Sequence, residues 1–494
     1  MSNNRLLRMV SIILCGAIIA LTAAGCGGNS GSSAPETTAA DTAAETEETT
    51  TADPLADDVP ELDFGGKPFR VSVMSKYEQE FLAEEESGDV CNDAVYARNR
   101  LVEERFNTVI TPLVTNYVDN NTHVNYIKNT VLAGEDAFDL AALYVYVSGI
   151  PILAGLYQSW KGVPYVDFER PWWVQSANEA FTIGGDRYIA VGSVCVTTLL
   201  LAYGIFFNKT VAEGYNVGNL YDVVYDGKWT IDRLGETAKG VYADLNGNNQ
   251  SDKDDLFGFI AEKVTNLDAY LPAFDQSITA FDDEGYPYFI INCEKTYNAV
   301  DKVYSLYYEN EGSYITPAAG DEITKFARGE ALFLTTWMNN AFTVFRDMED
   351  DYGILPYPKF DEAQEDYLSN SMDNYSTLGI PMTADDLDFI GAVIEVLSAE
   401  SYKSVMPAYY EVALKTKFTR DEDSIAMLEL IMDGLNYDFS VLHSSSYLSS
   451  IYTRFRIVIA KPSRDFASDY ASIEEKLLTS LESLIGIYKE LGER

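Results

Sequence analysis

Between Phe69 and Tyr144 the chain switches from strand to helix and back at short, even intervals, and few folds tolerate that rhythm. Phe69–Met74 alternates apolar and polar residues as a half-buried strand does. A helix follows over about 93–106, with Ala94, Ala97, Leu101, Val102 and Arg105 at helical spacing. Val109–Val114 is the next strand, 122–132 the next helix and Asp139–Tyr144 a third strand. Strands separated by single helices must run parallel through right-handed crossovers, which gives an α/β layer with its ligand loops at the carboxyl ends of the strands. A chain of 494 residues also exceeds what one core fills, so at least two lobes are expected.

The charge excludes whole classes of partner. Asp and Glu number 77 against 35 Lys and Arg, a net charge of −42, which repels phosphate backbones and anionic membrane surfaces and so predicts no nucleic-acid binding. Acidity of this kind serves solubility and identifies no substrate. Only His123 and His443 occur, so histidine-based catalysis or metal binding is thinly supplied. Cys91, Cys195 and Cys293 are far apart and lack a Cys-x-x-Cys, and are read as small buried hydrophobes.

The amino-terminal segment reads as targeting. Arg5 and Arg8 precede an apolar stretch from Met9 to Ala24, and Ala23-Ala24-Gly25-Cys26 resembles the lipobox of bacterial lipoproteins, whose Cys carries the lipid. An uncleaved anchor is the weaker alternative, because a bilayer core of about 30 Å needs about 20 apolar residues. Residues 27–63 are Gly, Ser, Thr, Ala and acid, too poor in large apolar groups to offset chain entropy, and are expected to form a disordered tether. Residues 1–26 are thus expected as a signal peptide, with lipidation at Cys26 holding the protein at the outer face of the membrane.

Further along, Phe326-Ala-Arg-Gly-Glu-Ala-Leu-Phe-Leu-Thr-Thr-Trp337 reads as a helix end, a Gly stop and a strand; a helical run over Met338–Met348 and a second short strand, Tyr352–Leu355, follow before Pro356 and Pro358. Leu156–Trp173 is a loop with three Trp, followed by Gly184-Gly185-Asp186-Arg187-Tyr188. Gly204-Ile-Phe-Phe-Asn-Lys209 and Asp373-Asn-Tyr-Ser-Thr-Leu-Gly-Ile-Pro381 complete the set. In this order the motifs resemble the extracellular solute-binding proteins of ABC sugar importers, the maltose-binding-protein class, over nearly all of the chain after the tether.

The resemblance implies a two-lobed, periplasmic-binding-protein-like α/β fold with discontinuous lobes, hinge crossings near Tyr203, Leu332 and Gly379, and a helical carboxyl-terminal part covering the second lobe. Lobe I would take 64–204 plus 332–379, and lobe II 205–331 plus 380–494. It places Trp337 against a sugar, where a plain core aromatic is the alternative. Trp160 becomes a lid residue, Trp172 and Trp173 become candidates of which one is expected in the core, and Asp373, Asn374 and Tyr375 become ligand-loop candidates. Glu78, in the loop after the first strand, joins them. Trp229 before the N-cap Thr230 reads as structural.

Asp244-Leu-Asn246-Gly-Asn248-Asn-Gln250-Ser-Asp252-Lys-Asp-Asp255 sets oxygen side chains at the spacing of a calcium loop. Asn249 stands where Gly makes the tight turn, and Asp255 replaces the bidentate Glu, which weakens binding. A structural Ca²⁺ on Asp244, Asn246, Asn248, Gln250, Asp252 and Asp255 is expected, with a solvated turn as the alternative.

The function these readings imply is capture of a carbohydrate, an oligosaccharide, by a monomer that delivers it to ABC permease transmembrane subunits. Rings match the apolar faces of sugars, and Asp, Glu, Asn and Arg match their hydroxyls. A lipid-anchored glycoside hydrolase or a peptide-binding protein are the alternatives; no Gly-x-Ser-x-Gly, His-Glu-x-x-His or phosphate loop is present, and no catalysis is expected.

Overall fold

The computed structural model of the chain describes residues 55–119, 121–415, 422–444 and 446–493. Cys26, the signal segment and residues 27–54 of the expected tether lie outside them. Residues 57–63 belong to the folded part: Asp57 pairs with Arg105 at 2.7 Å and Val59 is buried. The tether reading therefore extended too far, because two small anchor points are invisible in an acidic stretch.

The first sheet starts with β1 (Lys67–Met74), β2 (Thr108–Thr115) and β3 (Leu140–Tyr144), connected by α1 (Val90–Phe106) and α2 (Thr122–Leu132). Phe69, Val71 and Val73 are fully buried on one face of β1, as the alternation predicts. β1 pairs in parallel with both β2 and β3. Asp89 caps α1 by accepting from the Cys91 and Asn92 N–H groups, and Asn107 ends it in the left-handed conformation. α3 (Val145–Leu153) leaves β3 directly.

The chain then builds the second sheet from β4 (Tyr203–Asn208), β5 (Tyr242–Ala243), β6 (Leu256–Ala261), β7 (Ser313–Ile315), β8 (Ala331–Trp337) and β9 (Tyr352–Leu355). Its order is β7-β6-β8-β4-β9, with β5 on the side of β6. α4 (Ile231–Lys239), α5 (Glu294–Tyr304) and α6 (Asp321–Ala327) accompany it. β10 (Ser376–Gly379) returns to the first sheet, antiparallel to β3.

This pairing corrects the expected lobes. β8 lies between β6 and β4 in the middle of the second sheet, so there is no crossing at Leu332, and residues 332–355 belong to lobe II. A short apolar run announces a strand but not which sheet it joins. The helical end also divides between the lobes. Phe389 of α7 (Leu387–Glu400) sets its ring edge-on to Phe69 of β1 at 5.6 Å, which places α7 in lobe I. α8 (Met406–Lys415) packs on α1, and α9 (Glu422–Asp433) on β9. α10 (Ser440–His443) returns to α3, α11 (Arg454–Ala460) packs on α5, and α12 (Glu474–Gly492) reaches α10 through Tyr488 and His443. Amphipathic periodicity says that one face is buried and is silent on what covers it.

The two sheets are tied by a pair of antiparallel segments. The Tyr203 N–H donates to the Asn370 carbonyl at 3.0 Å and the Met372 N–H to Leu201 at 2.9 Å. The Ser371 hydroxyl donates to the Thr198 carbonyl at 2.7 Å. The same segment then meets the end of β3, where the Val145 and Tyr146 N–H groups donate to Tyr375 and Asp373. Glu80 fastens the start of the crossing by accepting from the Thr197 N–H and hydroxyl at 2.9 and 2.7 Å.

Candidate functional site

In both sheets the strands that run parallel to one another end at this crossing. From the first sheet come the turn after β1, with Tyr77 and Glu78, and Tyr144 at the end of β3. From the second come Glu262 immediately after β6, Thr335–Trp337 of β8, and Tyr357 after β9. Trp337 stands opposite Tyr203 in the ladder and is only half-buried. Tyr203 meets Tyr357 ring to ring at 6.1 Å, and Tyr357 meets Tyr270 at 5.2 Å, so the core behind the crossing is aromatic on the second-lobe side.

Acidic groups stand among these rings. Arg456 on α11 reaches Asp268 at 2.7 Å. Glu262 accepts from the Asn266 N–H at 2.9 Å and the Thr265 hydroxyl at 3.2 Å. Burial pushes the carboxyl groups of Asp268, Asp373 and Glu262 up, and Asp373 and Glu262 push Asp268 further by like charge; Arg456 works against the shift of Asp268 and Asp373. Burial also raises the phenols of Tyr77 and Tyr144, with Asp373 adding to each.

Several buried polar atoms here lack a protein partner: Glu262 Oε2, Asn266 Oδ1, Asp268 Oδ1, Asn370 Oδ1, and the hydroxyls of Tyr144 and Tyr375. An unpaired buried polar atom costs about 1–3 kcal/mol, so such a concentration marks a place that exchanges hydrogen bonds with something outside the chain.

The structure brings together part of the sequence-derived set. Trp337, Asp373, Asn374, Tyr375 and Glu78 sit at the ends of the two sheets, Tyr375 fully buried and the other four half-buried. Trp160, Trp172 and Trp173 do not join them. All three are buried in lobe I, where Trp172 and Trp173 each donate an indole N–H to Glu395 at 2.9 Å, and Trp160 packs edge-on to Trp173 at 6.2 Å. They are core, because one buried carboxylate satisfies both adjacent indoles and neither needs a ligand. Trp229 is likewise buried and donates to the Pro356 carbonyl.

Missed from the sequence were Tyr144, Tyr203, Glu262, Asp268, Asn370 and Arg456. Glu262 had a signal, since it follows a strand that ends at the ligand face of a parallel sheet. Asp268 and Arg456 meet only through the packing of α11, and no local pattern announces that.

In the 244–255 loop, Asn249 adopts the left-handed conformation (φ 57°), as its place in the turn requires. Asp244 accepts from the Gly247 and Asn249 N–H groups at 2.6 and 2.7 Å, and Asn248 donates to Asp252 at 2.7 Å. Gln250 is exposed. Asp255 departs from the expected ligand set: it is fully buried and accepts from the Tyr242 hydroxyl and the Leu245 and Asp252 N–H groups. Among the described residues no three His, Cys, Asp or Glu side chains are grouped to hold a metal ion. Among the same residues no helix is long and apolar enough to cross a membrane.

No family model matches the chain, and no curated protein matches it. Solved structures do match. An ABC substrate-binding protein of Listeria monocytogenes in complex with cycloalternan aligns at 15% identity over 86% of this chain and 99% of its own, with a TM-score of 0.51. Maltose-bound MalE3 of T. maritima aligns at 14% identity over 85% and 100%, with a TM-score of 0.52. A sugar transporter of Rhizobium etli in an open conformation aligns at 11% identity over 85% and 99%, with a TM-score of 0.54. The chain has the two-lobed, periplasmic-binding-protein-like α/β fold of these proteins.

Proposed function

We propose that the chain captures a carbohydrate between its lobes and delivers it to an ABC permease. The observation that carries this is the meeting of rings and unpartnered oxygens at the crossing. Trp337 offers aromatic surface, backed by the buried rings of Tyr203 and Tyr357, while Glu262, Asp268 and Asn370 hold acceptor atoms in need of donors. A sugar presents apolar C–H faces flanked by hydroxyl donors and matches both. The solved structures of like fold that hold maltose or cycloalternan support the same reading.

The chain acts as a monomeric binder and returns its ligand unchanged, and the lipid on Cys26 keeps it at the outer face of the membrane. Calorimetry with oligosaccharides against oligopeptides tests the ligand class. Saturable binding of a sugar and none of the peptides is expected; binding confined to peptides removes the proposal. Chromatography of the recovered sugar tests the absence of catalysis, and shortened products would make the protein a hydrolase.

The 244–255 loop takes Ca²⁺ weakly, through Asp244, Asn246, Asn248 and Asp252 with Gln250 at the rim, because Asp255 is committed to Tyr242 and Leu245. Chelator is expected to lower the melting temperature by a few degrees, and an unchanged melting curve counts against the ion.

A further inference from the structure

The crossing holds more carboxyl groups than bases. Glu262, Asp268 and Asp373 face one half-buried base, Arg456, whose guanidinium is already engaged with Asp268 Oδ2 at 2.7 Å. Lys76 stands at the rim, over the rings of Tyr77 and Tyr117.

Below the crossing lies a cavity of about 30 Å³, the space of one or two small polar groups. Its wall includes Asp268, Asn370, Tyr375, Tyr452 and Asp438, and no Lys or Arg among the described residues. Three of these residues hold unpartnered oxygens: Asp268 Oδ1, Asn370 Oδ1 and the Tyr375 hydroxyl, on side chains only 7%, 3% and 1% exposed. Other polar atoms of that wall have partners. Asp438 accepts from Thr279 and Ser440, and the Asn370 amide donates to the Tyr452 hydroxyl at 3.1 Å.

From this geometry we infer that the carbohydrate this protein prefers carries a protonated amine, an unacetylated amino sugar whose ammonium seats among Asp268, Asn370 and Tyr375; the inference rests on the carbohydrate reading. An ammonium has three donors and one positive charge in a volume close to that of water. It supplies a donor to each open oxygen and, as a cation, favours the charged form of the crowded carboxyls, whereas a hydroxyl has one donor and no charge. The phenol rings of Tyr375 and Tyr452 add attraction for a cation and none for a neutral group. An N-acetyl group has neither the charge nor the size for the cavity.

The test is calorimetry on the intact chain with matched pairs of sugars below the amine pKa: glucosamine against glucose, galactosamine against galactose, and a tetramer of glucosamine against cellotetraose and against the N-acetylated tetramer. In any pair that binds, the amine is expected to bind at least about tenfold tighter. Asp268→Asn and Glu262→Gln each shrink that ratio towards one. If an Asp268→Asn protein does not fold, the wild-type pairs and Glu262→Gln decide. Neutral or acetylated sugars binding as tightly as the amines overturn the inference and leave the carbohydrate reading standing. Binding of no sugar at all removes both.

Discussion

Glu395 is the residue whose environment most plainly sets a measurable property. Burial drives its carboxyl to about 7 from an ordinary value of 4.5, against two indole donors that favour the charged form. Between those values the native chain holds a proton that the unfolded chain has lost, so stability falls as pH rises through the window and the penalty is fully present above about 7. Glu80, also raised to about 7, acts in the same direction. In acid Glu395 is protonated and offers the indoles one carbonyl acceptor, as Gln does, so Glu395→Gln is expected to change stability little in urea denaturation in acid and to stabilise by about 1–3 kcal/mol above about pH 7, where it removes the penalty of the charged form. A loss that grows with pH would reverse the assignment. For Trp337, half-buried at the end of β8, replacement by Ala is expected to weaken sugar binding by about 2 kcal/mol, roughly thirtyfold, while the melting curve moves little. A Trp at a strand end could be foreseen as a candidate, whereas the fate of Trp160, Trp172 and Trp173 turned on Glu395, a distant acid that no spacing rule connects to them.

Elements were legible where a strong local pattern coincided with a stop. Tyr352–Leu355 matches β9 residue for residue, because Pro356 closes it, and Ala331–Thr335 falls within β8 after Gly329. The run expected as a helix over Met338–Met348 breaks into Asn339–Phe342 and a 3₁₀ turn at Val344–Asp347. Its apolar residues follow either period, and packing decides between them. Contacts between elements also leave marks that spacing hides. A Cβ on Gly258 of β6 would sit 1.9 Å from the Ala238 carbonyl oxygen of α4, backbone against backbone, so neither side can yield. Gly258→Ala is expected to cost at least about 2 kcal/mol in urea denaturation. Gly486, exposed on α12 with nothing near its Cβ position, should behave oppositely, and Gly486→Ala should stabilise by about 0.5–1 kcal/mol. Equal effects at both sites would mean that the strand–helix contact is looser than described.

At the scale of the whole molecule, apolar packing and charge pull in opposite directions. One core cluster continues from Phe69 and Phe389 in lobe I through Tyr203 and Tyr375 at the crossing to Phe333 and Trp229 in lobe II. Separation of the lobes during unfolding would expose that seam, so heat is expected to melt the folded part in a single calorimetric transition. Two resolved transitions would show that the crossing holds two independent cores. Against this packing stands the net charge of −42. Exposed pairs such as Lys228–Asp226 and Arg464–Asp301 contribute at most about 1 kcal/mol each, and salt weakens them. The repulsion acts over the whole surface and is screened beyond about 10 Å at 0.1 M salt, so it fades with ionic strength by more than the pairs do. The melting temperature should therefore rise as sodium chloride is added, most steeply at the low end. A melting temperature that fell with salt would mean that the ion pairs outweigh the repulsion, and the acidity would then be part of what holds the fold rather than a load on it.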